Sequence, residues 1–321
     1  MMKASSIANS NIAFVKYWGK KNSKLNIPMN PSISMTLDEK LSTKTTIEFS
    51  EKYSEDIFIL NNVKQHGDKS ERVSNFLNII RETAHTKLKA KVVSVNSFPT
   101  ASGLASSASG FAALAAASSS ALNLNLTEKE LSGLARLGSG SATRSIYGGF
   151  VEWEGKYAKQ LIDEHHWPQL RDMVVIVSKK EKPLSSREAM QISVKKSTLY
   201  RKRINTLTKT LDSVKMAITN KNFPDLAKLI MRDSDNMHAC INETGIQYLN
   251  DTSENIKQII KRLNNTQLKA AYSFDAGPNA HIITLEKHIP ELRHALSKVS
   301  YVKIIVSKPG AGVRLTKKHL F

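Results

Sequence analysis

Apolar and β-branched residues alternate with polar ones through much of the first third of the chain, so that 32–37 (SISMTL), 43–49 (TKTTIEF) and 56–60 each predict a strand. The period then changes. Over 71–87, Val73, Phe76, Leu77 and Ile80 fall on one face of a helix, and 91–95 (KVVSV) returns to strand. The stretch NSFPTASGLASSASGFAALAAASSSALNL begins as a Gly/Ser/Pro loop and continues as a strong Ala- and Leu-rich helix former. Thr127 and Glu130 make a capping box for a following helix that ends near Gly138. A second Gly/Ser patch, GSGSATRSIYGG, precedes the strand-like GFVEWE.

From about residue 170 the elements lengthen. Residues 173–178 (MVVIVS) predict a buried strand, and KKEKPLSSREAM reads as a polar loop. Residues 200–218 carry a helical stripe of Tyr200, Ile204, Leu207, Leu211, Val214 and Ile218. Helices are expected over 225–237 and 252–263, and strands over 268–274, 281–285 and 302–306. Long helices between antiparallel-type strands predict an α+β fold, with domains at 1–170 and 171–321.

Composition sharpens this picture at three points. With 40% hydrophobic and 23% charged residues, the 321-residue chain has ordinary globular usage and enough length for two domains. One cysteine, Cys240, allows neither an internal disulfide nor a cysteine-based zinc site, and it predicts a buried thiol in a cytoplasmic protein. No apolar run approaches a membrane span, and the first residues carry no secretory leader. Lys and Arg total 47 against 28 Asp and Glu, a net charge of +19, which points to anionic partners: nucleic acid, an acidic surface or a phosphorylated small molecule.

Four segments carry candidate chemistry. The loop 99–108 joins a strand to the Ala-rich helix. Glycine permits close backbone approach there, and the helix start offers N–H groups to phosphate. A plain turn with good capping serines fits the same residues. Residues 138–144 combine flexible backbone, two hydroxyls and Arg144, a bidentate binder of phosphate or carboxylate, or else form a flexible loop with a surface arginine. Asp275 follows an apolar strand and precedes Gly-Pro, as a positioned carboxylate or an ordinary turn former would. Lys16-Tyr17-Trp18-Gly19-Lys20 sets cations around an aromatic pair, at a site or at a strand edge with exposed lysines. Arg201, Lys202, Arg203, Lys209 and Lys215 predict a solvated basic helix face. No Walker loop, HExxH or GxSxG occurs, the histidines show no ligand spacing, and no nucleic-acid-binding signature accompanies the basic helix.

Taken together and in order, NIAFVKYWGKK (11–21), SERV (70–73), NSFPTASGLASSASGFAAL (96–114), ARLGSGSATRS (135–145), SSREAM (185–190), DSDNMHA (233–239) and YSFDAGPNAH (272–281) resemble the diphosphomevalonate decarboxylase family of the GHMP kinase superfamily. The resemblance spans nearly the whole chain. It implies a two-domain α+β fold with the active site in a cleft between the domains. It also implies ATP and magnesium as cofactors, a phosphorylated mevalonate as substrate, no membrane or nucleic-acid partner, and a cytoplasmic homodimer of the isoprenoid (mevalonate) pathway. The implied reaction phosphorylates the 3-hydroxyl of mevalonate 5-diphosphate, then expels phosphate and CO2 to give isopentenyl diphosphate. By the same analogy Asp275, Lys16 and Ser107 are catalytic. Gly103, Leu104, Ala105, Ser106, Ser107 and Ala108 hold the nucleotide, with magnesium carried on ATP and touched by Ser107 rather than held by a cluster of protein ligands. Arg144, with Ser139 and Ser141, takes the substrate carboxylate. Tyr17, Lys20, Arg72 and Arg187 face the 5-phosphate end, and Ser186 and Arg187 bind substrate from a polar loop that closes over the site. Two segments depart from the family's pattern. Met29 and Pro31 stand where it usually has a Thr and a Ser, and 243–247 (ETGIQ) replace a Pro-Pro-Ile turn. These departures leave open a decarboxylase of mevalonate 5-phosphate or, without ATP, of mevalonate 3,5-bisphosphate. A mevalonate 3-kinase, against which Lys16 and Asp275 argue, and a basic nucleic-acid-binding protein are the remaining alternatives.

Overall fold

The alternating segments of the first third pair into one sheet. In a computed structural model that describes residues 2–98, 106–178 and 184–321, Lys3–Asn9 lies antiparallel to Ser42–Ser50, which lies antiparallel to Lys89–Asn96. Ile57–Leu60 joins Lys89–Asn96 in parallel, and the short strands Val63–Lys64 and Arg314–Leu315 close the two edges. Two helices, α1 (Asp68–Thr83) and α2 (Ser106–Ala121), cover one face, and α3 (Glu128–Gly138) packs against α2. The expected stripe of Val73, Phe76, Leu77 and Ile80 is buried there, with Phe76 edge-on to Phe111 of α2. Because α2 is apolar on nearly every side, it can only be an interior helix. Its alanines let it lie close enough to the sheet for the Ser6 hydroxyl to donate to the Ala113 carbonyl at 2.6 Å. The α3 capping box at Thr127 and Glu130 forms as its sequence requires.

A second sheet runs Tyr157–Ile162, Phe150–Glu154, Ser32–Thr36 and Asn11–Val15, and a third runs Ala270–Phe274, Ala280–Leu285, Leu170–Ile176 and Lys303–Ser307. After α4 (Ser186–Lys196), the helices α5 (Thr198–Thr219) and α6 (Phe223–Asn242) lie between these two sheets. Leu207, Leu211 and Val214 of α5 and Leu226 and Ile230 of α6 share a core with Phe14, Ile33, Met35 and Phe150 on one side and Val174 and Ile283 on the other. The outer face of the third sheet is sealed by α7 (Asp251–Leu263) and α8 (Ile289–Ala295), through Ile256, Ile260 and Leu292. This is the mixed α+β architecture expected from the pattern.

The differences have physical causes. The strand Lys3–Asn9 escapes the periodicity because hydroxyls replace apolar side chains inside: Ser5 bonds Thr46 at 2.6 Å, and Ser6 donates to the Ala113 carbonyl. Asn11–Val15 escapes it because all five of its residues are buried, so its sequence does not alternate. The expected loop at 138–148 is partly a 3₁₀ helix, Gly140–Ile146. The polar loop before Met190 ends sooner than expected, because Ser185 and Glu188 form a second capping box. Ser186 and Arg187 therefore stand in the first turn of α4 rather than in a loop. Within the replaced segment 243–247, Glu243 accepts from the Ser197 and Thr198 hydroxyls and the Leu199 amide, which ties the end of α6 to the start of α5.

Candidate active site

The strand Asn11–Val15 delivers Lys16 into the interior. Only 2% of the Lys16 side chain is exposed, and its ammonium meets Asp275 Oδ1 at 2.7 Å. Asp275 leaves the end of Ala270–Phe274 in a turn closed by the Gly277 amide on the Asp275 carbonyl at 2.8 Å, and its side chain stays 29% exposed. A buried ammonium needs a counter-charge, and this carboxylate supplies it while keeping a wetted side. The strand edge with exposed lysines is therefore excluded for Lys16.

Arg144, in the 3₁₀ helix, is buried against neutral oxygens: Nε and one Nη share Asn11 Oδ1 at 3.1 and 3.0 Å, and the other Nη reaches Ser32 Oγ at 2.8 Å. Burial pushes its pKa down to about 10, and the Asp275 charge pushes back, so the two lie within electrostatic reach. Among the described residues no carboxylate pairs with the Arg144 guanidinium. A buried cation with neutral partners is an anion site in waiting. Ser139 donates to Ser107 at 3.3 Å and lies 3.4 Å from Ser141, while the Asn11 amide donates to the Ser141 carbonyl at 3.1 Å. The half-buried Ser106 and Ser107 open α2, followed by the buried Ala108. The Gly103, Leu104 and Ala105 predicted beside them lie outside the described residues.

A second group gathers around Tyr17. Its ring packs on Trp153 at 4.6 Å, its buried hydroxyl has no partner among the described residues, and burial drives its pKa upward against the pull of Arg144 and Arg187. The phenol is thus a neutral donor. Gly140 permits this approach: a Cβ there would fall 2.9 Å from the Trp153 ring and 3.0 Å from Tyr17. Lys20 donates to Asn26 Oδ1 at 2.6 Å, and its pKa is pushed down to about 8, first by desolvation and then by Arg187 and Arg72. Arg72 donates to the Gly138 carbonyl at 2.9 Å, lies over the Phe111 ring, and is pushed down to about 10 by burial, with Arg187 adding to it. Arg187, exposed on the first turn of α4, thus acts on Tyr17, Lys20 and Arg72 alike. Three cations repelling one another beside an unpartnered phenol are arranged for a polyanion.

Other residues of the site are silent in the sequence. Asn11, Ser32, Asn26 and Asn30 each hold a candidate residue, yet single polar residues inside strands and turns carry no pattern of their own. Arg203, expected on a solvated basic face, is buried and pairs with Asp233 at 2.8 Å. Its register betrays this, since residue 203 lies three after Tyr200 and four before Leu207, on the buried stripe.

A Lys–Asp pair at the end of a third-sheet strand, a Ser-rich helix start and a separate cationic cluster make an enzyme site, on a fold shared with solved decarboxylases of the GHMP kinase superfamily. Family models for the diphosphomevalonate decarboxylase-like N-terminal domain and the mevalonate 5-diphosphate decarboxylase C-terminal domain match residues 8–161 and 173–311. The diphosphomevalonate decarboxylase of Rattus norvegicus is 41% identical over 88% of this chain and 76% of its own, and that of Candida albicans 41% over 88% and 84%. The crystal structure of mevalonate diphosphate decarboxylase from Staphylococcus aureus superposes with a TM-score of 0.93 at 36% identity, covering 98% of both chains. MDDEF in complex with MVAPP, AMPPCP and magnesium gives 0.92 at 37%, covering 98% of this chain and 99% of that one. The chain belongs to the diphosphomevalonate decarboxylase family. Among the described residues, no helix is long and apolar enough to cross a membrane.

Proposed function

We propose that the protein converts mevalonate 5-diphosphate and ATP to isopentenyl diphosphate, ADP, phosphate and CO2. The observation that carries this is the Lys16–Asp275 pair beside Arg144, a buried cation hydrogen-bonded to neutral oxygens. Asp275 orients the 3-hydroxyl and takes its proton as the phosphoryl group arrives. Lys16 neutralises charge on the group in transfer, which needs positioning and electrostatics more than covalent help. Departure of phosphate from the tertiary carbon builds positive charge there, and the same carboxylate stabilises it. Arg144, with Ser139 and Ser141, holds the substrate carboxylate until it leaves as CO2. Tyr17, Lys20, Arg72, Ser186 and Arg187 receive the diphosphate.

The nucleotide belongs at the start of α2, where Ser106, Ser107 and Ala108 present hydroxyls and first-turn N–H groups that no intrahelical acceptor uses. The half-buried Ser107 hydroxyl, linked to Ser139, fits a magnesium ion carried on the phosphates, whose contribution is charge neutralisation. All relatives quoted above are named for the diphosphate substrate, so the readings with mevalonate 5-phosphate or 3,5-bisphosphate are not favoured. The division near residue 170, a homodimeric state and a cytoplasmic place in isoprenoid and lipid metabolism belong to the same proposal, and light scattering tests the dimer. The function itself is tested by incubating the protein with each mevalonate phosphate, with and without ATP, and measuring CO2 and free phosphate. ATP-dependent CO2 from the 5-diphosphate is expected; ATP-independent CO2 from the bisphosphate overturns it.

A further inference from the structure

The segment DSDNMHA of α6 supplies none of the groups assigned above to substrate or nucleotide, yet its Asp233, Ser234 and His238 are buried. Asp233 accepts from the Lys16 backbone amide at 2.7 Å and from Arg203 at 2.8 Å. Arg203 also donates to the Lys16 carbonyl at 3.3 Å, to the Asp233 carbonyl at 3.3 Å and to Asn236 at 2.9 Å. Asn30 holds the same Lys16 carbonyl from the other side at 3.0 Å, and the Tyr200 hydroxyl donates to the Trp18 carbonyl at 2.7 Å. From the adjacent stripe of α6, contacts go to the other reacting residue's strand. The Phe274 amide donates to Ser234 Oγ at 3.0 Å, and His238 Nε2 lies 3.4 Å from the Phe274 carbonyl. His238 is buried and its pKa falls to about 4, chiefly through desolvation, which keeps the ring neutral; the nitrogen facing the carbonyl is then the N–H donor.

Helix geometry explains the division of labour. Residues 233 and 237 share one stripe, and 234 and 238 share the next. Met237 packs with Trp18 and Tyr200, so the first stripe faces the segment that carries Lys16. The second faces the last residue before Asp275. We infer that α6 is a positioning element for the reaction: Asp233, Ser234 and His238 grip the two backbones that present Lys16 and Asp275, and one rigid helix thereby sets the spacing of the reacting pair. The inference rests on the decarboxylase reading above and adds residues that touch neither substrate nor reacting atoms. Reacting groups displaced by about 1 Å cost on the order of 100-fold in rate, so errors too small to disturb folding are large here.

The test measures CO2 release from mevalonate 5-diphosphate and ATP for Ser234→Ala, Ser234→Thr and Asp233→Asn, with a crystal structure of Ser234→Ala. Ser234→Ala should lower kcat about tenfold, with both KM values within about twofold and the Lys16–Asp275 separation lengthened from 2.7 Å. Ser234→Thr keeps a hydroxyl acceptor and should restore most of the rate. Asp233→Asn, which also strands Arg203, should lose on the order of 100-fold in kcat if it folds. A folded Ser234→Ala with wild-type kcat, a lower melting temperature and an unchanged ion pair would overturn the inference, as would a rise in KM with kcat intact. Wild-type protein that releases no CO2 sinks the functional reading instead, and the pair's separation in Ser234→Ala then decides the positioning role by itself.

Discussion

Two regions of the site treat positive charge in opposite ways. Lys16 is buried with its counter-charge beside it, and the fold fixes its backbone from three elements. Lys20 and Arg72 are held by a carboxamide and a carbonyl; desolvation pushes the pKa of both down, Arg187 pushes each further, and Arg72 adds to the effect on Lys20. Desolvating a charge is costly unless an opposite charge follows it in. At Lys16 the fold meets that cost and gains a group fixed in place before substrate arrives. At the cluster the cost is left standing, and a polyanionic ligand is what relieves it. The first region is built for the transition state and the second for binding.

The largest expected effect breaks the first region. Asp275→Asn keeps the shape and an acceptor oxygen for Lys16 but removes the charge and the base. Steady-state assay of CO2 release should show kcat reduced by about 10²–10³-fold, equivalent to roughly 3–4 kcal/mol, with KM for both substrates little changed. The melting temperature should fall, because the buried Lys16 ammonium loses its counter-charge. Turnover near the parent value would show that the carboxylate is not the reacting group.

A smaller effect should strike the second region with the opposite kinetic signature. Lys20→Met removes one cation of the cluster. A hydrogen bond to a charged group is worth about 1.5–3 kcal/mol, so KM for the diphosphate substrate should rise about 10- to 100-fold while kcat holds. The pH dependence follows from the lowered Lys20 pKa of about 8. Parent KM should climb as pH rises through that value and Lys20 loses its proton; in Lys20→Met this limb should vanish. Stability runs the other way. The unfolded chain binds a proton at Lys20 up to the ordinary lysine range and the folded one only to about 8, so unliganded stability contributed by this group rises between those values. Thermal melts of both proteins across that window check the sign, and a KM insensitive to the substitution would remove Lys20 from the diphosphate site.

What could be read from the sequence divides along the same line. Segments with one apolar face were legible: the α1 stripe at Val73, Phe76, Leu77 and Ile80, the α5 stripe from Tyr200 to Ile218, and the α3 cap at Thr127 all stand where their period and chemistry put them. The strand Lys3–Asn9, which buries hydroxyls, was not, because Ser5 and Ser6 solve their burial by hydrogen bonds to distant residues that no local period encodes. Asp275, Lys16 and Arg144 stood out only in company, as local evidence allowed a turn, a strand edge and a flexible loop. Their convergence is tertiary: Lys16 and Asp275 are 259 positions apart in the chain. Asp233, Ser234 and His238 were quoted within a matching segment but had no visible role, since buried polar residues on a helix declare a partner without saying which.

The smallest effect sharpens the comparison at a helix cap. Ser185 accepts from the Glu188 amide at 3.2 Å, and Glu188 accepts from the Ser185 amide at 3.1 Å. This box fixes the first turn of α4, which carries Arg187 to the cationic cluster. Thr127 and Glu130 make the same box on α3, which carries no residue assigned to the diphosphate from its first turn. Ser185→Ala and Thr127→Ala should therefore each cost about 1 kcal/mol of stability, read from denaturant midpoints. Only Ser185→Ala should raise KM for the diphosphate substrate, by a few-fold at most, because Arg187 lies on an exposed turn and surface charge is screened. Neither should change kcat, since Lys16 and Asp275 are held by α5, α6 and the strands they grip. Equal KM values in the two variants would mean that the position of Arg187 does not depend on its helix cap.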